Sequence, residues 1–458
     1  MYKINFEKPI HIHFIGIGGI SMSGLAEILL EEGFTVSGSD SKESPLTKKL
    51  ESEGAIIHYG QCAENISDGI DCVVYTAAIN KANPELMEAV ARKIPMLTRA
   101  ELLGQLMKNY KTPIAVSGTH GKTTTTSMIS HILLAADLDP TISVGGILKA
   151  IGCNIRVGKS ETFITEACEY TNSFLHFYPK ISVILNIEED HLDFFKDLED
   201  IRHSFHQFAA LLPSDGTLII NGDIDNYQEI YEGLDCNVIT YGSSDMLDYS
   251  ASNITYDEKG LVAFDLIKNG KVVDHIQLSV TGDHNVSNAL ASIATAELLQ
   301  IPMEIIKKGI LSFSGTDRRF EYKGTFNGVT VVDDYAHHPT EIAATLKAAQ
   351  HYPHNQVWCV FQPHTYTRTK AFFHEFAEVL SHTDHLVLAD IYAARETDTL
   401  GVSSAGLAEE ARKLGTDAHY LPSFEEIEAF LKENCKSGDL LITMGAGDVV
   451  KIGEDLLK

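Results

Sequence analysis

Cysteine is scarce in this sequence, and its placement argues against two common kinds of site. The chain has only seven cysteines, and none of them stands in a Cys-x-x-Cys pair. Without such a pair, neither a thiolate zinc site nor a thiol-exchange motif is indicated, and the odd number argues against a complete disulfide framework. We therefore expect a protein of a reducing compartment, the cytoplasm.

Positive charge and long apolar runs are also in short supply. Lys and Arg number 36 against 63 Asp and Glu, which gives a formal net charge of -27. Such a field repels polyanions, so nucleic acid is not the expected partner, and a phosphate group must be met by a local, shaped site. The segment Ile10 to Leu30 carries Glu27 and several glycines, so we interpret it as part of a folded unit and not as a signal peptide or membrane span.

What the chain does have is length and an ordinary globular composition. Its 458 residues, 44% of them hydrophobic, are enough for about three domains. Short β-rich runs alternate with helical patterns, which predicts parallel sheets covered by helices. We predict an α/β protein with a Rossmann-like domain at residues 1–111, a central parallel-sheet domain at 112–318 and a C-terminal Rossmann-like domain at 319–458.

A glycine turn joins a predicted strand, Pro113 to Ser117, to a predicted helix from Lys122 to about Ala136. In such a turn the backbone N–H groups and the helix N-terminus can surround a phosphate, and Lys122 can reach the β- and γ-phosphates. The Thr123 hydroxyl is placed to bind the Mg²⁺ that accompanies ATP. Val116 stands where the first glycine of the strict P-loop pattern belongs, and a glycine turn can also serve only to bend the backbone. We favour a P-loop domain that binds ATP or GTP.

A second glycine turn lies near the amino end, at Gly16-Ile-Gly18-Gly19. Ser21 replaces the last glycine of the dinucleotide pattern, and Asp40 ends the next predicted strand, where a ribose-binding acid would stand. The turn alone does not separate NAD(P) from a UDP-sugar, because both present a pyrophosphate. A dehydrogenase, however, has no use for a second phosphate site built on Lys122.

Other polar residues follow predicted strands, and the carboxyl ends of parallel strands meet at one edge of a sheet. Glu166 follows one strand of the central domain, and His191 follows the strand predicted for Ser182 to Ile187. In the last domain the residues in such positions are Asp334, His337, His338, His364, Arg368, Asp390 and Arg395. This clustering predicts a substrate cleft. His337 and His338 alone make a weak zinc prediction, since no third soft ligand has metal spacing.

Several strings of this sequence resemble the Mur ligases, cytoplasmic enzymes that assemble the peptide stem of bacterial cell-wall precursors. They follow the order of that family and cover nearly the whole chain: Gly118-Thr-His-Gly-Lys-Thr-Thr-Thr125, Gly16-Ile-Gly-Gly19, Asn186-Ile-Glu-Glu-Asp-His191, Gly282-Asp-His-Asn-Val-Ser-Asn288, Asp333-Asp-Tyr-Ala-His-His338 and Phe361-Gln-Pro-His-Thr-Tyr-Thr-Arg368. Within the family, three of these strings look most like the member that joins L-alanine to UDP-N-acetylmuramate at the expense of ATP.

The resemblance implies a role for each group of residues. ATP would be held by Gly118, Thr119, His120, Gly121, Lys122, Thr123, Thr124, His284, Asn285, Asn288, Arg319 and Asp334. The other substrates would be held by Gly16, Gly18, Gly19, Asp40, His337, His364 and Arg368. Mg²⁺ would be held by Thr123, Glu166 and His191, and the catalytic residues would be Lys122, His191 and His338. Blander interpretations remain: the asparagines of a helix start are commonly caps, His191 could cap a turn, and one of Arg318 and Arg319 should be structural.

The sequence departs from the family at two places. Several members carry a carbamylated lysine about fifteen residues beyond His191, whereas here residues 201–206 contain no lysine. Many members have arginine where this chain has Thr365. Whatever helps to hold a second metal ion must therefore differ here, and a contact made by that arginine is not expected in this chain.

The expected activity is therefore an ATP-dependent ligation of L-alanine to UDP-N-acetylmuramate, in a monomer or homodimer that binds neither nucleic acid nor membrane. One alternative is a sibling that attaches a preformed peptide to the same sugar nucleotide. Another is a nucleotide-dependent sugar-nucleotide binding protein that forms no peptide bond.

Overall fold

The computed structural model describes residues 2–76, 79–192, 194–394, 396–397 and 400–458. The chain separates into two compact units. The first unit comprises Met1–Tyr241 with Ala291–Gly309, and the second comprises Gly242–Leu290 with Ile310–Lys458. Helices accompany parallel strands in both units, which confirms the α/β class. The domain boundaries expected after residues 111 and 318 remain predictions.

The strands follow one another along the chain as β1 (His11–Ile15), β2 (Thr35–Asp40), β3 (Ile56–Tyr59), β4 (Cys72–Tyr75), β5 (Met96–Thr98), β6 (Thr112–Ser117), β7 (Thr141–Leu148), β8 (Cys153–Arg156), β9 (Thr162–Glu166), β10 (Ile181–Ile184), β11 (Thr217–Asn221), β12 (Asn237–Gly242), β13 (Tyr249–Tyr256), β14 (Leu261–Lys268), β15 (Lys271–Thr281), β16 (Glu321–Phe326), β17 (Val329–Asp334), β18 (Val357–Phe361), β19 (His385–Leu388), β20 (Asp417–Tyr420) and β21 (Leu440–Met444).

The α-helices are α1 (Ile20–Glu31), α2 (Pro45–Ser52), α3 (Pro84–Ala91), α4 (Arg99–Met107), α5 (Lys122–Ala135), α6 (Leu198–Ala209), α7 (His284–Leu298), α8 (Met303–Ser312), α9 (Pro339–Ala349), α10 (Tyr366–Ala371), α11 (Phe373–Leu380), α12 (Ser404–Lys413), α13 (Phe424–Asn434) and α14 (Val450–Leu456). None of them, within the described ranges, has the length and apolar character of a membrane-spanning segment. Short 3₁₀ segments occur at Ala63–Asn65, Tyr170–His176 and Tyr227–Ile230.

Two sheets build the first unit. In one, the strands lie in the order β3-β2-β1-β4-β5 and all pair in parallel. In the other, β12-β11-β10-β6-β9-β7 run in parallel, and β8 pairs antiparallel to β7. Each glycine turn therefore follows a strand with parallel neighbours on both sides, β1 in the first sheet and β6 in the second.

The second unit contains a sheet with the order β16-β17-β21-β18-β19-β20, in which only β16 runs antiparallel to its neighbour. It also contains the antiparallel strands β13, β14 and β15. Buried aliphatic and aromatic side chains cover both faces of the parallel sheet, with Val332, Phe361 and Ile442 on one face and Val331, Val360 and Leu441 on the other.

The sequence pattern predicts one helix from Thr367 to Leu380, and this prediction is wrong in one respect, because the structure divides the segment into α10 and α11. The break falls at Phe372, whose φ of -110° and ψ of 27° are not helical. Its ring packs edge-on against His338, with 4.7 Å between centroids. This contact with a distant part of the chain has no local signal in the sequence.

Candidate active site

The turn after β6 requires glycine at two positions. Gly118 has a φ of +148°, and a Cβ built there would lie 2.9 Å from the Cβ of Leu185. Gly121 has a φ of +81° and immediately precedes Lys122, the first residue of α5. Thr123 and Thr124 complete the half-buried start of this helix. The turn thus directs backbone N–H groups and a helix N-terminus at one place, which is an arrangement for phosphate.

The segment that follows β10 holds this turn in place. Asn186 accepts from the Thr119 N–H at 3.2 Å through its backbone oxygen, and from the His120 N–H at 2.7 Å through its side chain. Its side-chain amide donates back to the His120 carbonyl at 3.1 Å. The Glu188 N–H donates to the Thr119 hydroxyl at 2.9 Å. The predicted strand Ser182 to Ile187 ends earlier, at Ile184, because Asn186 turns to meet the loop.

Lys122 is held by a carboxylate that sequence reasoning missed. Its ammonium lies 3.0 Å from Oε2 and 3.2 Å from Oε1 of Glu169, which is almost fully buried. Burial alone would lower the pKa of Lys122, but the charge of Glu169 outweighs this and raises it to about 12. The lysine is therefore a permanent positive charge at the start of α5. The one sequence signal for Glu169 is its position three residues after Glu166.

Oxygen donors meet beside the same helix start. The Thr123 hydroxyl donates to Oε2 of Glu166 at 3.1 Å, and the Gly145 N–H donates to Oε1 at 2.5 Å. Hydroxyl and carboxylate oxygens are the hard donors that Mg²⁺ prefers, so this pair fits the predicted metal ligands. A side chain at Gly145 would obstruct it, since a Cβ there would lie 2.8 Å from the Glu166 carboxylate.

His191 lies beside Glu169, the carboxylate that holds Lys122. Its Nε2 lies 3.9 Å from Oε1 of Glu169, and its ring is 4.5 Å from that of Tyr170. The backbone of His191 has a φ of +54°, and its carbonyl accepts from the N–H groups of Phe194 and Phe195. The residue therefore closes a turn, as the blander interpretation expects, while its imidazole faces the glutamate that holds Lys122.

Residues of the neighbouring strand β2 accept hydrogen bonds from the turn after β1 and hold it in shape. Gly16 has a φ of +83°, and its N–H donates to the Ser39 carbonyl at 2.8 Å. The Gly18 N–H donates to Oδ2 of Asp40 at 2.8 Å, and a Cβ on Gly18 would approach that oxygen to 2.8 Å. Gly19 immediately precedes α1. Asp40 thus fixes the shape of the turn from the end of β2.

In the second unit, the end of β17 carries a buried carboxylate. Asp334 accepts from the N–H groups of Phe320 and Ala336, both at 2.8 Å. Burial raises the pKa of Asp334 to about 6, although the charge of Arg319 acts in the opposite direction. Arg318 is tied to the framework through Asp333 at 2.9 Å and the Gly445 carbonyl at 2.6 Å.

Three histidines gather near this point of the second unit. His338 is the N-cap of α9, and its Nδ1 accepts from the Thr340 N–H at 3.3 Å. His337 lies 3.2 Å from Glu341 and 5.8 Å, ring to ring, from His364. Nδ1 of His364 lies 3.4 Å from the Arg368 guanidinium. The structure therefore brings the substrate residues predicted after β17 and β18 together.

Two further predicted positions stand after β19. The Asp390 carboxylate accepts from the Tyr420 hydroxyl at 2.6 Å. Arg395 lies outside the described residues. Thr365, where many family members have arginine, caps α10 and has a φ of +66°.

The start of α7 holds the predicted base-reading amides in a chain of hydrogen bonds. Asn288 donates to Oδ1 of Asn285 at 3.0 Å, and Asn285 donates to the Thr281 carbonyl at 2.7 Å. Both asparagines are buried, while His284 at the first position of the helix is exposed. The amides are thus oriented by the protein itself.

Comparisons with known proteins cover the whole chain. Family models match at residues 11–111 (Mur ligase family, catalytic domain), 116–296 (Mur ligase middle domain) and 318–447 (Mur ligase, glutamate ligase domain). A UDP-N-acetylmuramate--L-alanine ligase of Lachnospira eligens is 63% identical and one of Agathobacter rectalis is 64% identical, each with 100% of both chains covered.

Solved structures are similar over the same length. The UDP-N-acetylmuramate-alanine ligase MurC of Thermotoga maritima matches with a TM-score of 0.81, 28% identity and 98% of both chains covered. A murein peptide ligase of Psychrobacter arcticus matches with a TM-score of 0.70, 25% identity and 98% of both chains covered.

Proposed function

The chain belongs to the Mur ligase family, and we propose that it is the ligase that joins L-alanine to the lactyl carboxylate of UDP-N-acetylmuramate while ATP is cleaved to ADP and phosphate. The observation that carries this proposal is the pair of glycine turns in one compact unit, one with a charged lysine and one without. Full-length relatives of that name, at 63 and 64% identity, support it.

The two turns suit two different nucleotides. We propose that Gly118 to Thr124 hold the phosphates of ATP, with Lys122 paired to the transferring end. Gly16, Gly18 and Gly19 hold the diphosphate of the UDP-sugar, and Asp40 keeps that turn in shape. Asn285 and Asn288 read adenine, while His284, Arg319 and Asp334 complete the ATP site, and His337, His364 and Arg368 contact the other substrates.

Mg²⁺ is the further component that the family implies. Thr123 and Glu166 would hold it, and we propose that His191, whose Nε2 lies 3.9 Å from Oε1 of Glu169, is a third ligand. When bound, the ion supplies positive charge to the phosphates of ATP. His191 is a nitrogen donor and so a weaker ligand for a hard cation than Glu166.

The chemistry follows from the poor reactivity of a carboxylate. A lactyl oxygen attacks the γ-phosphorus, the bond to the bridging oxygen breaks, and ADP leaves. The alanine amine then attacks the acyl carbon of the acyl phosphate, inorganic phosphate leaves, and the amine gives up a proton. In the phosphoryl step the protein mainly positions groups and neutralises charge, and Lys122 does this from a fixed ion pair.

Positioning of the substrates supplies much of the rate. Holding reacting groups in line lowers a barrier by up to about 7–11 kcal/mol, provided that water is kept from the acyl phosphate. His338 is held by its capping bond to Thr340, so its ring has a fixed orientation. We propose a catalytic role for His338. We also propose that the enzyme is cytoplasmic, that it is a monomer or homodimer, and that it binds neither nucleic acid nor membrane.

The test is to incubate the protein with ATP, Mg²⁺ and UDP-N-acetylmuramate and to offer L-alanine or a preformed peptide as the amine. Mass spectrometry of the product should show addition of alanine, with one ADP per product. Release of no ADP in the complete mixture would contradict the proposal, and peptide addition would favour the sibling ligase. ATP hydrolysis that ignores both alanine and the sugar nucleotide would point to the binding protein.

A further inference from the structure

Arg99 is a cation that the functions assigned above leave unused. It is the first residue of α4, directly after β5, and its guanidinium donates to the Ser21 hydroxyl at 2.9 Å. Ser21 lies in the first turn of α1, immediately beyond Gly16 to Gly19. A guanidinium has five N–H donors in a planar fork, and within the described residues this is the one hydrogen bond that it makes. Most of its N–H donors are therefore available to a ligand.

Close packing fixes the place of Arg99 within the first unit. The side-chain amide of Asn154 in β8 donates to the Ile20 carbonyl at 3.0 Å, so the start of α1 is tied to the central sheet. A Cβ on Gly104 of α4 would lie 1.9 Å from the His176 carbonyl, so α4 presses directly on the segment after β9. The helix α1 is therefore held against β8, and α4 is held against the segment that follows the strand of Glu166.

A carboxylate of the central sheet, Glu166, acts on the charge of this guanidinium. Burial lowers the pKa of Arg99, and the negative charge of Glu166 acts in the opposite direction. Arginine keeps its charge under such conditions. Arg99 thus touches Ser21 in the helix that follows the first glycine turn, and the charge of Glu166, which contacts Thr123 beside the second turn, acts on it.

The proposed reaction needs a cation at such a place. Its first step brings a carboxylate on the sugar nucleotide against the terminal phosphate of ATP, and two anions repel each other in a partly buried site. Lys122 and the metal ligands serve the phosphate side. A planar fork that can bind a carboxylate through two parallel hydrogen bonds suits the other side.

We propose that Arg99 binds the lactyl carboxylate of the sugar nucleotide and directs it toward the ATP loop, with Ser21 as the positioning residue that orients the guanidinium. This inference rests on the function proposed above. It assigns Arg99 a direct contact with substrate, and it makes the carboxylate, not the diphosphate, the group that Arg99 recognises.

Calorimetric titration of the full chain with two sugar nucleotides tests the contact. UDP-N-acetylglucosamine has the same nucleotide and hexose as UDP-N-acetylmuramate but lacks the lactyl carboxylate. For Arg99→Ala we expect affinity for UDP-N-acetylmuramate to fall about ten- to a hundredfold, the range for loss of a hydrogen-bonded charge. Affinity for UDP-N-acetylglucosamine and for ATP should stay within about twofold. Arg99→Lys should lie between, since lysine keeps the charge without the fork.

The matched control for the Arg99 variants is an exposed arginine, Arg92. Arg92→Ala removes an exposed arginine that pairs with Glu88 and Asp68 in the same sheet region, and it should leave both affinities unchanged. Equal losses for the two sugar nucleotides would show that Arg99 only supports the turn, and a loss confined to ATP would assign it to the phosphate. If Arg99→Ala does not fold, Arg99→Gln, which removes the charge, replaces it in the comparison of the two sugar nucleotides, and Arg99→Lys should still show a smaller loss.

Failure of this inference is distinguishable from failure of the proposed function. Product formation by the unchanged protein tests the ligase activity on its own. If the unchanged protein makes the alanine adduct while the Arg99 variants keep its preference for UDP-N-acetylmuramate, only the role of Arg99 is wrong.

Discussion

The two glycine turns of the first unit have the same plan but differ in what surrounds them. Each follows a central parallel strand and leads into a helix, and each needs a glycine with positive φ. The turn after β1 is completed by Asp40, which accepts from the Gly18 N–H. The turn after β6 instead presents Lys122, held by Glu169, and Thr123, held by Glu166.

This difference shows that turn shape alone does not choose the nucleotide. A glycine turn at a helix N-terminus is common to many phosphate sites, so the shared plan does not by itself tell the two proposed sites apart. A lysine at the helix start and oxygen ligands beside it add the charge that a transferring phosphoryl group needs. The turn after β1 has no lysine at its helix start, and we propose that it holds a diphosphate that remains intact.

Among the variants that test the difference between the two turns, Lys122→Ala should have the largest effect on turnover. Removing the charge at the transferring phosphate should lower kcat at least about a thousandfold, since such electrostatic contacts act mainly in the transition state. Binding of UDP-N-acetylmuramate, measured by calorimetry, should stay nearly unchanged. Equal loss of turnover and sugar-nucleotide binding would mean that the two turns are not separate sites.

Gly18→Ala should damage the other turn. Its Cβ would meet Oδ2 of Asp40 at 2.8 Å and Cγ2 of Thr47 at 2.9 Å, so the turn must shift. Overpacking of this kind costs about 1–3 kcal/mol, so we expect KM for UDP-N-acetylmuramate to rise about tenfold or more in steady-state assays. KM for ATP should not change. Gly406→Ala, whose Cβ has only ordinary contacts of 3.5 Å or more, is the control.

Glu169→Gln should change the pH dependence of kcat/KM for ATP, because it removes the ion pair with Lys122. Glu169 raises the pKa of Lys122 to about 12, so the unchanged enzyme keeps the charged lysine through pH 10. With glutamine the burial of the lysine is no longer outweighed, its pKa falls, and the alkaline limb of kcat/KM for ATP moves to lower pH. Rates measured from pH 7 to 10.5 give the shift. Glu161→Gln, which removes an exposed partner of Lys111, should leave the profile in place.

Asp40→Asn should have the smallest effect. An asparagine oxygen can still accept from the Gly18 N–H, while the second bond, from the Ser41 N–H, is lost or weakened. We expect less than about a tenfold rise in KM for UDP-N-acetylmuramate, in line with the loss of roughly 1 kcal/mol. A loss as large as that of Gly18→Ala would show that Asp40 contacts the sugar nucleotide directly.

Local chemistry made much of the fold predictable. The strand predicted for Pro113 to Ser117 is observed as Thr112–Ser117, and the helix from Lys122 ends one residue earlier than expected, at Ala135. These elements carry their own signals in apolar runs and glycine turns. The antiparallel strand β14 was not predicted, although the alternating burial of Val262, Phe264 and Leu266 follows the two-residue period of a strand.

The site was less predictable wherever a contact joins distant parts of the chain. Residues of the glycine turns were evident because neighbouring residues form each motif. The partner of Lys122 lies 47 residues away at Glu169, and the contact between Arg99 and Ser21 spans 78 residues. One sequence does not show which distant residues meet, so these contacts needed the packed structure.

A crystal structure of the protein with UDP-N-acetylmuramate and a non-hydrolysable ATP analogue tests the central claim most directly. We predict the sugar-nucleotide diphosphate at Gly16 to Gly19 and the analogue's terminal phosphate beside Lys122. Either ligand in the opposite turn, or both in the same one, would contradict the account.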